Sequence, residues 1–242
     1  MTMLSRHAAE DDAVAARGRG GIRPSAASDD LRAVLFDFSG TLFRLDEDDS
    51  WFDGMGLDAP ARAAVLDRLT HPTAETTHPA WPQRDLKPEL HRQAYLHLLR
   101  AAGLSDRHAE ALYGHVTDPA AWTPYPDTAA VLAALRDRAV PTAVVSNIAW
   151  DVRPSFAALG CHPDEYVLSF EVGAVKPDPR IFETALSRLG VAGRQTLMIG
   201  DSEENDGGAR ALGCAFGLVD PLPTALRPTG LADVLAGAGL AL

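Results

Sequence analysis

The stretch Arg32–Phe43, RAVLFDFSGTLF, sets four apolar residues directly before a single carboxylate. Residues 33–36 have the length and composition of a strand that is buried on both faces of a sheet. The carboxylate that follows is Asp37, and an ionised acid at the end of a buried strand is unfavourable unless a cation, a proton or backbone amides compensate its charge. The sequence therefore predicts a buried strand over Ala33–Phe38 that carries a functional acid.

Further apolar runs of strand length follow along the chain, and segments with helical spacing separate them. The predicted strands are Pro141–Ser146, Tyr166–Ser169, Thr196–Gly200 and Ala215–Val219. Helical spacing covers Thr128–Arg138 and Pro179–Leu189. Short apolar strands that alternate with helices are typical of an α/β fold in which a mostly parallel sheet is covered on both faces.

The interval from about Leu45 to Trp122 differs, because it contains helical segments and no convincing strand. The predicted helices are Ala59–Leu69, Pro88–Ala102 and Asp106–His115. An insertion of this size after the first strand is expected to form a helical lid over the carboxyl ends of the strands, where ligands bind in open parallel sheets. We therefore predict a disordered N-terminal extension (1–29), a core (30–45 and 122–242) and a helical cap (46–121).

Polar residues stand at the ends of three of the predicted strands. Asp37 ends the first, Ser146 and Asn147 end AVVSN, and Asp201 follows TLMIG. Lys176 lies between the last two, in GAVKPDPRIF, just before a helix that starts with proline. Because the carboxyl ends of parallel strands lie on one edge of the sheet, these side chains are expected to converge there.

This set of groups fits phosphoryl transfer. Asp37 and Asp201 supply oxygen ligands for Mg²⁺. Ser146, Lys176 and the backbone amides around Gly40 can hold phosphoryl oxygens, while a carboxylate kept ionised by the metal and the lysine attacks phosphorus. Gly40 also lets the chain turn closely around an anion.

The segments FDFSGTL, VVSN, VKPDPRIF and IGDSEEND, in this order and at these intervals, resemble the four signature motifs of the haloacid dehalogenase (HAD) superfamily. The match covers about residues 31–220 and implies a Rossmann-like core with an α-helical cap. It also implies that Asp37 is a nucleophile that forms an aspartyl intermediate, and that Lys176 holds the nucleophile and the phosphate. Mg²⁺ is expected to bind Asp37, Asp201 and the backbone carbonyl of Ser39. The residues expected to bind the substrate phosphate are Ser39, Gly40, Thr41, Ser146 and Asn147.

The chain departs from this family's phosphatases at residue 39. Those enzymes place a second aspartate two residues after the nucleophile, where it protonates the leaving group and then activates water, but this chain has Ser39. A positioned general acid–base contributes about 10²–10⁴-fold to the rate, so slow turnover is expected. Relatives without an acid here include P-type ATPases, phosphonatases and haloacid dehalogenases. The intact Gly200–Asp201 pair favours phosphate chemistry over dehalogenation.

The fourth motif leaves its second acidic position open. Counting forward from Asp201 gives Asp206, whereas counting back from Gly213 along the next helix gives Asn205. We predict that Asp206 is the metal ligand. The alternative is a solvated acidic loop at a helix N-terminus.

The predicted cap contains several candidate groups for the reaction. Phosphonatase chemistry needs a cap lysine for a Schiff base, and Lys87, one of only two lysines in the chain, stands before Pro88 at a helix start, where a solvated surface residue is the simpler interpretation. A cap histidine has a pKa suited to replace the missing acid, although most are expected to be surface or packing residues. The cap histidines are His71, His78, His91, His97, His108 and His115. Trp51, Phe52 and Trp81 either line a substrate pocket or pack the cap.

Composition narrows the functional classes. The net charge of −11 and the pI of about 5.1 argue against nucleic acid or an anionic membrane as the main partner. No apolar run is long enough for a membrane span or resembles a signal-peptide core, so we expect a cytoplasmic protein. Cys161 and Cys214 are expected to be reduced packing thiols.

The sequence therefore predicts a Mg²⁺-dependent hydrolase of a small phosphorylated metabolite. A weakly catalytic phosphate-binding protein, phosphonate cleavage and dehalogenation remain alternatives. The choice between monomer and homodimer is open.

Overall fold

Strands of the computed structural model confirm the predicted parallel sheet. The model describes residues 31–46, 48–73 and 78–242, so the predicted extension over residues 1–29 lies outside the described residues. The strands are β1 (Ala33–Phe36), β2 (Phe43–Arg44), β3 (Thr123–Pro124), β4 (Thr142–Ser146), β5 (Glu165–Leu168), β6 (Thr196–Gly200) and β7 (Ala215–Leu218). Five of them form one parallel sheet in the order β5-β4-β1-β6-β7. The five predicted strands agree with the observed bounds to within two residues.

Helices cover both faces of this sheet, and further helices lie in the insertion between β2 and β3. They are α1 (Ala59–Thr70), α2 (Pro88–Ala101), α3 (Asp106–Val116), α4 (Thr128–Asp137), α5 (Arg153–Leu159), α6 (Ser169–Val172), α7 (Pro179–Leu189) and α8 (Gly230–Gly237). Capping signals explain the bounds of α7: Asp178 accepts a hydrogen bond from the Arg180 amide, Pro179 occupies the first turn, and Gly190 ends the helix at φ 67°.

Alternate residues of the central strand face two separate apolar clusters. Phe36 packs in the cluster that contains Leu132 of α4 and Leu231 of α8, whereas Leu35 packs in the cluster that contains Phe182 of α7. Because successive strand residues point to opposite faces and both faces are covered, the strands are continuous apolar runs. No helix in the described part of the chain is long and apolar enough to cross a bilayer.

The helical insertion, by which we mean residues 48–121, contains α1, α2, α3 and the 3₁₀ helices Asp49–Phe52, Trp81–Leu86 and Pro119–Ala121. It packs around an apolar cluster of its own, in which Phe52, Val65, Leu99 and Leu112 are buried. Its described residues form no strand, in agreement with the sequence pattern.

A small antiparallel pair closes the base of the helical insertion. In this pair, Phe43 of β2 lies beside Pro124 of β3, and Arg44 lies beside Thr123. Two-residue strands are too short to show a sequence period, so β2 and β3 could not be predicted from the sequence. The pairing brings together the points where the chain leaves and re-enters the core.

Candidate active site

Asp37 lies directly beyond the end of β1. Its amide donates to the Ile199 carbonyl oxygen at 2.9 Å, which continues the sheet's hydrogen bonding by one residue. Asp37 is 8% exposed, and its Oδ1 lies 2.8 Å from Lys176 Nζ. The unfavourable buried charge inferred from the sequence is therefore compensated by an ammonium group.

Lys176 is buried between two carboxylates. Its Nζ donates a hydrogen bond to Asp206 Oδ1 at 2.6 Å, in addition to its ion pair with Asp37. Burial lowers the pKa of Lys176, but the charges of Asp37 and Asp206 raise it by more, so the net shift is upward. Lys176 is therefore a fixed positive charge beside Asp37.

Asn147 holds the backbone of Lys176 from two sides. Its Nδ2 donates to the Lys176 carbonyl oxygen at 3.0 Å, and its Oδ1 accepts from the Lys176 amide at 2.6 Å. These two bonds make Asn147 a positioning residue for Lys176. Asn147 also lines the cavity, and its predicted contact with phosphate stays a prediction.

Three carboxylates meet at the carboxyl edge of the sheet. Oxygens of Asp37, Asp201 and Asp206 lie within 4.8 Å of one another. Asp201 follows β6, and Asp206 starts the 3₁₀ helix Asp206–Leu212, where its Oδ2 accepts from the Ser202 amide at 3.0 Å. Asp206 is one of the three clustered carboxylates, and Asn205, the preceding residue, lines the same cavity. The choice of Asp206 as the metal ligand therefore stays a prediction.

The electrostatics of these carboxylates fit a divalent cation. Burial, together with the charges of Asp37 and Asp206, raises the pKa of Asp201 to about 7. Burial also raises the pKa of Asp206, despite the opposing effect of Lys176. Three acids and one ammonium leave an excess of negative charge, and hard oxygen ligands of this kind suit Mg²⁺.

Two glycines allow the carboxylates to approach the backbone. A Cβ at Gly40, where φ is +71°, would lie 2.3 Å from Asp201 Oδ2. A Cβ at Gly200 would lie 2.1 Å from Asp206 Oδ2. Gly40 is therefore required both for its left-handed conformation and for space.

The remaining predicted phosphate ligands divide into two groups. Ser39, which is exposed, Gly40 and the buried Ser146 at the end of β4 all line the cavity next to Asp37. Thr41 is fully buried and does not line this cavity. Its position favours a packing role, because a residue close to a motif in sequence need not point toward the same cavity.

The active-site cavity, of about 620 Å³, lies between the sheet edge and the helical insertion. Asp37, Lys176 and Ser146 line it from the core, and the insertion supplies further lining residues. The cavity residues from the insertion include Trp51, Leu66, Leu69, Pro82, Arg84, Asp85, His91, Tyr95 and Val116. The structure therefore supports the expectation that the insertion lies over the strand ends.

Arg84 and Asp85 are cavity residues that the sequence analysis missed. They belong to the 3₁₀ helix Trp81–Leu86, which has no helical or strand period that could have exposed them. Arg84 lies over the ring of Trp81, with its guanidinium carbon 4.3 Å from the ring centroid. Trp81 itself does not line the cavity but supports a residue that does.

The other cap residues singled out in the sequence fall mostly outside the cavity. Lys87 is exposed and does not line it, which disfavours Schiff-base chemistry. Of the described cap histidines, His91 alone lines the cavity. Burial, reinforced by Arg84, lowers the pKa of His91 to about 3, so its imidazole is neutral near pH 7 and does not serve as an acid. Trp51 lines the cavity, and Phe52 packs within the insertion.

Comparison with known proteins identifies the family to which the chain belongs. A family model for haloacid dehalogenase-like hydrolases matches residues 31–213, well over half of the chain. The chain belongs to this family. This HAD-like hydrolase is 34% identical over 135 residues to phosphoserine phosphatase from Thermus thermophilus, a match that covers 54% of the chain and 53% of the relative. It is 37% identical over 95 residues to glyceraldehyde 3-phosphate phosphatase from Methanopyrus kandleri, covering 38% and 41%.

These matches are partial, because the HAD-like hydrolase spans about half the length of the curated relatives that it matches. Among solved structures, L-2-haloacid dehalogenase from Xanthobacter autotrophicus superposes with a TM-score of 0.58 at 24% identity, covering 84% of this chain and 83% of the dehalogenase. A HAD phosphatase from Thermococcus onnurineus gives 0.50 at 24% identity, covering 78% and 86%. At these identities the structures confirm the Rossmann-like α/β fold alone.

Proposed function

We propose that this HAD-like hydrolase is a Mg²⁺-dependent phosphatase of a small phosphorylated metabolite. The observation that carries the proposal is the cluster at the sheet edge, in which three carboxylates lie within 4.8 Å of one another and Lys176 pairs with two of them. The phosphatase names of two relatives support the same chemistry. A strand-end acid beside a fixed cation and a cation site is suited to attack on phosphorus.

In this proposal Asp37, Asp201 and Asp206 hold the metal, and the backbone carbonyl of Ser39 is a further ligand. When bound, Mg²⁺ neutralises charge on the transferring phosphoryl group. The three carboxylates carry more negative charge than Lys176 balances. This excess favours the binding of a divalent cation at the site.

The nucleophile is Asp37. Its free carboxylate oxygen attacks phosphorus, and the bond from phosphorus to the leaving oxygen breaks as an aspartyl-phosphate forms on Asp37. Lys176 pairs with Asp37 and attracts the phosphoryl oxygens, while Ser146 donates a hydrogen bond to one of them. Water then attacks the aspartyl-phosphate and releases inorganic phosphate.

We also propose that residues 46–121 act as a cap that selects the substrate. Two buried donors that line the cavity, Arg84 Nε of this segment and Trp150 Nε1 of the core, have no hydrogen-bond partner among the described residues. Buried unpaired donors are unfavourable, so a leaving group with acceptor atoms would satisfy them.

The test is phosphate release from a panel of phosphorylated metabolites, with Mg²⁺ and with chelator. Wild type, Asp37→Asn and Asp137→Asn are compared, since Asp137 is an exposed carboxylate on α4 that controls for the substitution itself. Release that needs both Mg²⁺ and Asp37 and survives in Asp137→Asn would support the proposal. Full activity of Asp37→Asn would end it.

Dehalogenation is the second candidate, because Ser39 supplies no acid and a halide leaves without a proton. The three-carboxylate cluster argues against it, since that chemistry needs no metal. Halide release from 2-haloacids in the presence of chelator, with no phosphate release from the panel, would favour this candidate. Ligand binding with neither product would indicate a phosphate-binding protein.

A further inference from the structure

One carboxyl group in the active-site cavity has no role in the chemistry described so far. Of the described residues of the helical insertion, Asp85 alone brings a carboxyl to the cavity, which Asp37 and Lys176 also line. Its side chain is 13% exposed. Within the described parts of the chain its carboxylate accepts no hydrogen bond, and its closest charged contact is Arg84 Nη2, 3.4 Å from Oδ2.

The backbone of Asp85 is tied to the phosphate side of the sheet edge. Ser169, which is fully buried at the start of α6, donates from Oγ to the Asp85 carbonyl oxygen at 2.6 Å. The same Oγ accepts from the Ile148 amide at 2.9 Å. Because Ile148 is two residues beyond Ser146, a single hydroxyl links Asp85 to the loop that carries the predicted phosphate ligand.

The groups around Asp85 leave its carboxyl able to hold a proton. Burial raises the pKa of Asp85 to about 6, while Arg84 on the same turn and Lys176 across the cavity act in the opposite direction. Tyr95 and His91 on α2 also line this cavity. Tyrosine is neutral near pH 7 and burial raises the pKa of Tyr95 further, while burial lowers the pKa of His91 to about 3, so His91 is neutral as well. A carboxyl that titrates close to the working pH can both donate and recover a proton.

We propose that Asp85 is the general acid–base that this chain uses in place of the carboxyl missing at residue 39. This inference rests on the proposed phosphatase function. It places the acid on the helical insertion instead of the strand edge.

The proton follows a closed path through the two steps. As the bond from Asp37 to phosphorus forms, the leaving oxygen takes the proton of the Asp85 carboxyl and departs as an alcohol. In the second step the Asp85 carboxylate takes a proton from water while the water oxygen attacks phosphorus. The Asp37 carboxylate and inorganic phosphate are released, and Asp85 is protonated again.

The experiment exploits leaving groups that differ in their need for a proton. p-Nitrophenolate leaves unprotonated, whereas the alkoxide of glycerol 3-phosphate must be protonated. Wild type, Asp85→Asn, Asp85→Glu and the surface control Asp137→Asn are compared with both compounds under single-turnover and steady-state conditions in Mg²⁺. Thermal melting checks that every variant is folded.

For Asp85→Asn we expect the single-turnover rate with glycerol 3-phosphate to fall about 10²–10⁴-fold. The rate of enzyme phosphorylation by p-nitrophenyl phosphate should change by no more than about threefold, because that leaving group needs little acid assistance. Since the second step has lost its base, a burst of p-nitrophenol should precede slow turnover. Asp85→Glu should restore part of the glycerol 3-phosphate rate.

Several outcomes would overturn the inference. Equal losses with both compounds and no burst would show that Asp85 only positions other groups, and an unchanged glycerol 3-phosphate rate would show that it has no role. A wild type that cleaves p-nitrophenyl phosphate but no alkyl phosphate would have no working general acid. These results differ from failure of the proposed function, in which wild type would release no phosphate that depends on Mg²⁺ and Asp37.

Discussion

Replacing Asp85 by asparagine should stabilise the folded protein at alkaline pH. The pKa of Asp85 is about 6 in the folded protein, above the ordinary 3.8, chiefly because the side chain is buried. The folded state therefore binds this proton more tightly than the unfolded state, so stability falls as pH rises from about 4 to 6 and stays low above that range. A shift of about 2 pKa units corresponds to about 3 kcal/mol. Asparagine has no charge to desolvate, so Asp85→Asn should recover about 3 kcal/mol at pH 8 and little at pH 4.

Thermal unfolding at both pH values in chelator measures this effect. In a chain of 242 residues, about 3 kcal/mol corresponds to roughly 6–12 °C in Tm. The control is Asp137→Asn, whose side chain is 71% exposed and should change stability by no more than about 0.5 kcal/mol. A Tm difference between Asp85→Asn and wild type that is the same at both pH values would refute the reasoning. Stabilisation combined with lost turnover would show that a functional carboxyl is kept at the expense of stability.

Three further predictions concern the sheet edge. Asn147→Ala removes both hydrogen bonds to the Lys176 backbone, so it should lower kcat and destabilise the fold by about 1–3 kcal/mol in urea; unchanged values would contradict the positioning role. Mg²⁺ at about 100 times its Kd should stabilise wild type by about 2.7 kcal/mol but not Asp201→Asn, and equal Tm shifts in the two would argue against the metal site. Gly40→Ala should lose this Mg²⁺ response, because its Cβ would meet Asp201; Gly54→Ala, with φ +72° and nothing within 4 Å, has the same backbone strain and should keep the response.

The sheet could be predicted because its strands are buried on both faces. A segment such as Thr196–Gly200 is apolar without interruption, and the predicted bounds equal the observed ones. Elements whose sequence lacks a strong period were not found: α5, a seven-residue helix at Arg153–Leu159, is too short, and β2 and β3 depend on pairing with each other.

For the site, topology was a better guide than proximity in sequence. Asp37, Asp201 and Lys176 could be predicted to meet because parallel strand ends share one edge. The direction of each neighbouring side chain could not be predicted, because it depends on local hydrogen bonding. Asn147 is the example, since its side chain bonds the backbone of Lys176. Asp85 was missed because a tertiary contact with Ser169, far away in sequence, brings it to the cavity.

The hydrogen bond between Ser169 and Asp85 offers a way to distinguish a catalytic role of Asp85 from a general loss of stability. Ser169→Ala removes the hydroxyl that holds the Asp85 carbonyl oxygen and so releases the acid from the sheet edge. Ser155→Ala is a matched control, because Ser155 on α5 is also buried and donates at 2.9 Å to a carbonyl of the helical insertion, that of Pro119. Each variant loses a hydrogen bond between core and insertion, and Ser169→Ala also leaves the Ile148 amide without its acceptor. Ser155→Ala should therefore lose about 1 kcal/mol of stability and Ser169→Ala about 1–3 kcal/mol.

The two variants should differ in leaving-group dependence. Misplacing Asp85 slows the step that protonates an alkoxide, so Ser169→Ala should lower the ratio of glycerol 3-phosphate to p-nitrophenyl phosphate turnover by at least about tenfold, since a misplaced group loses much of the benefit of positioned acid catalysis. Ser155→Ala should leave that ratio unchanged. If both variants shift the ratio equally, the position of Asp85 depends on how the whole insertion packs on the core and not on the hydroxyl of Ser169. If neither shifts it, the carboxyl of Asp85 does not need this anchor to reach the leaving group.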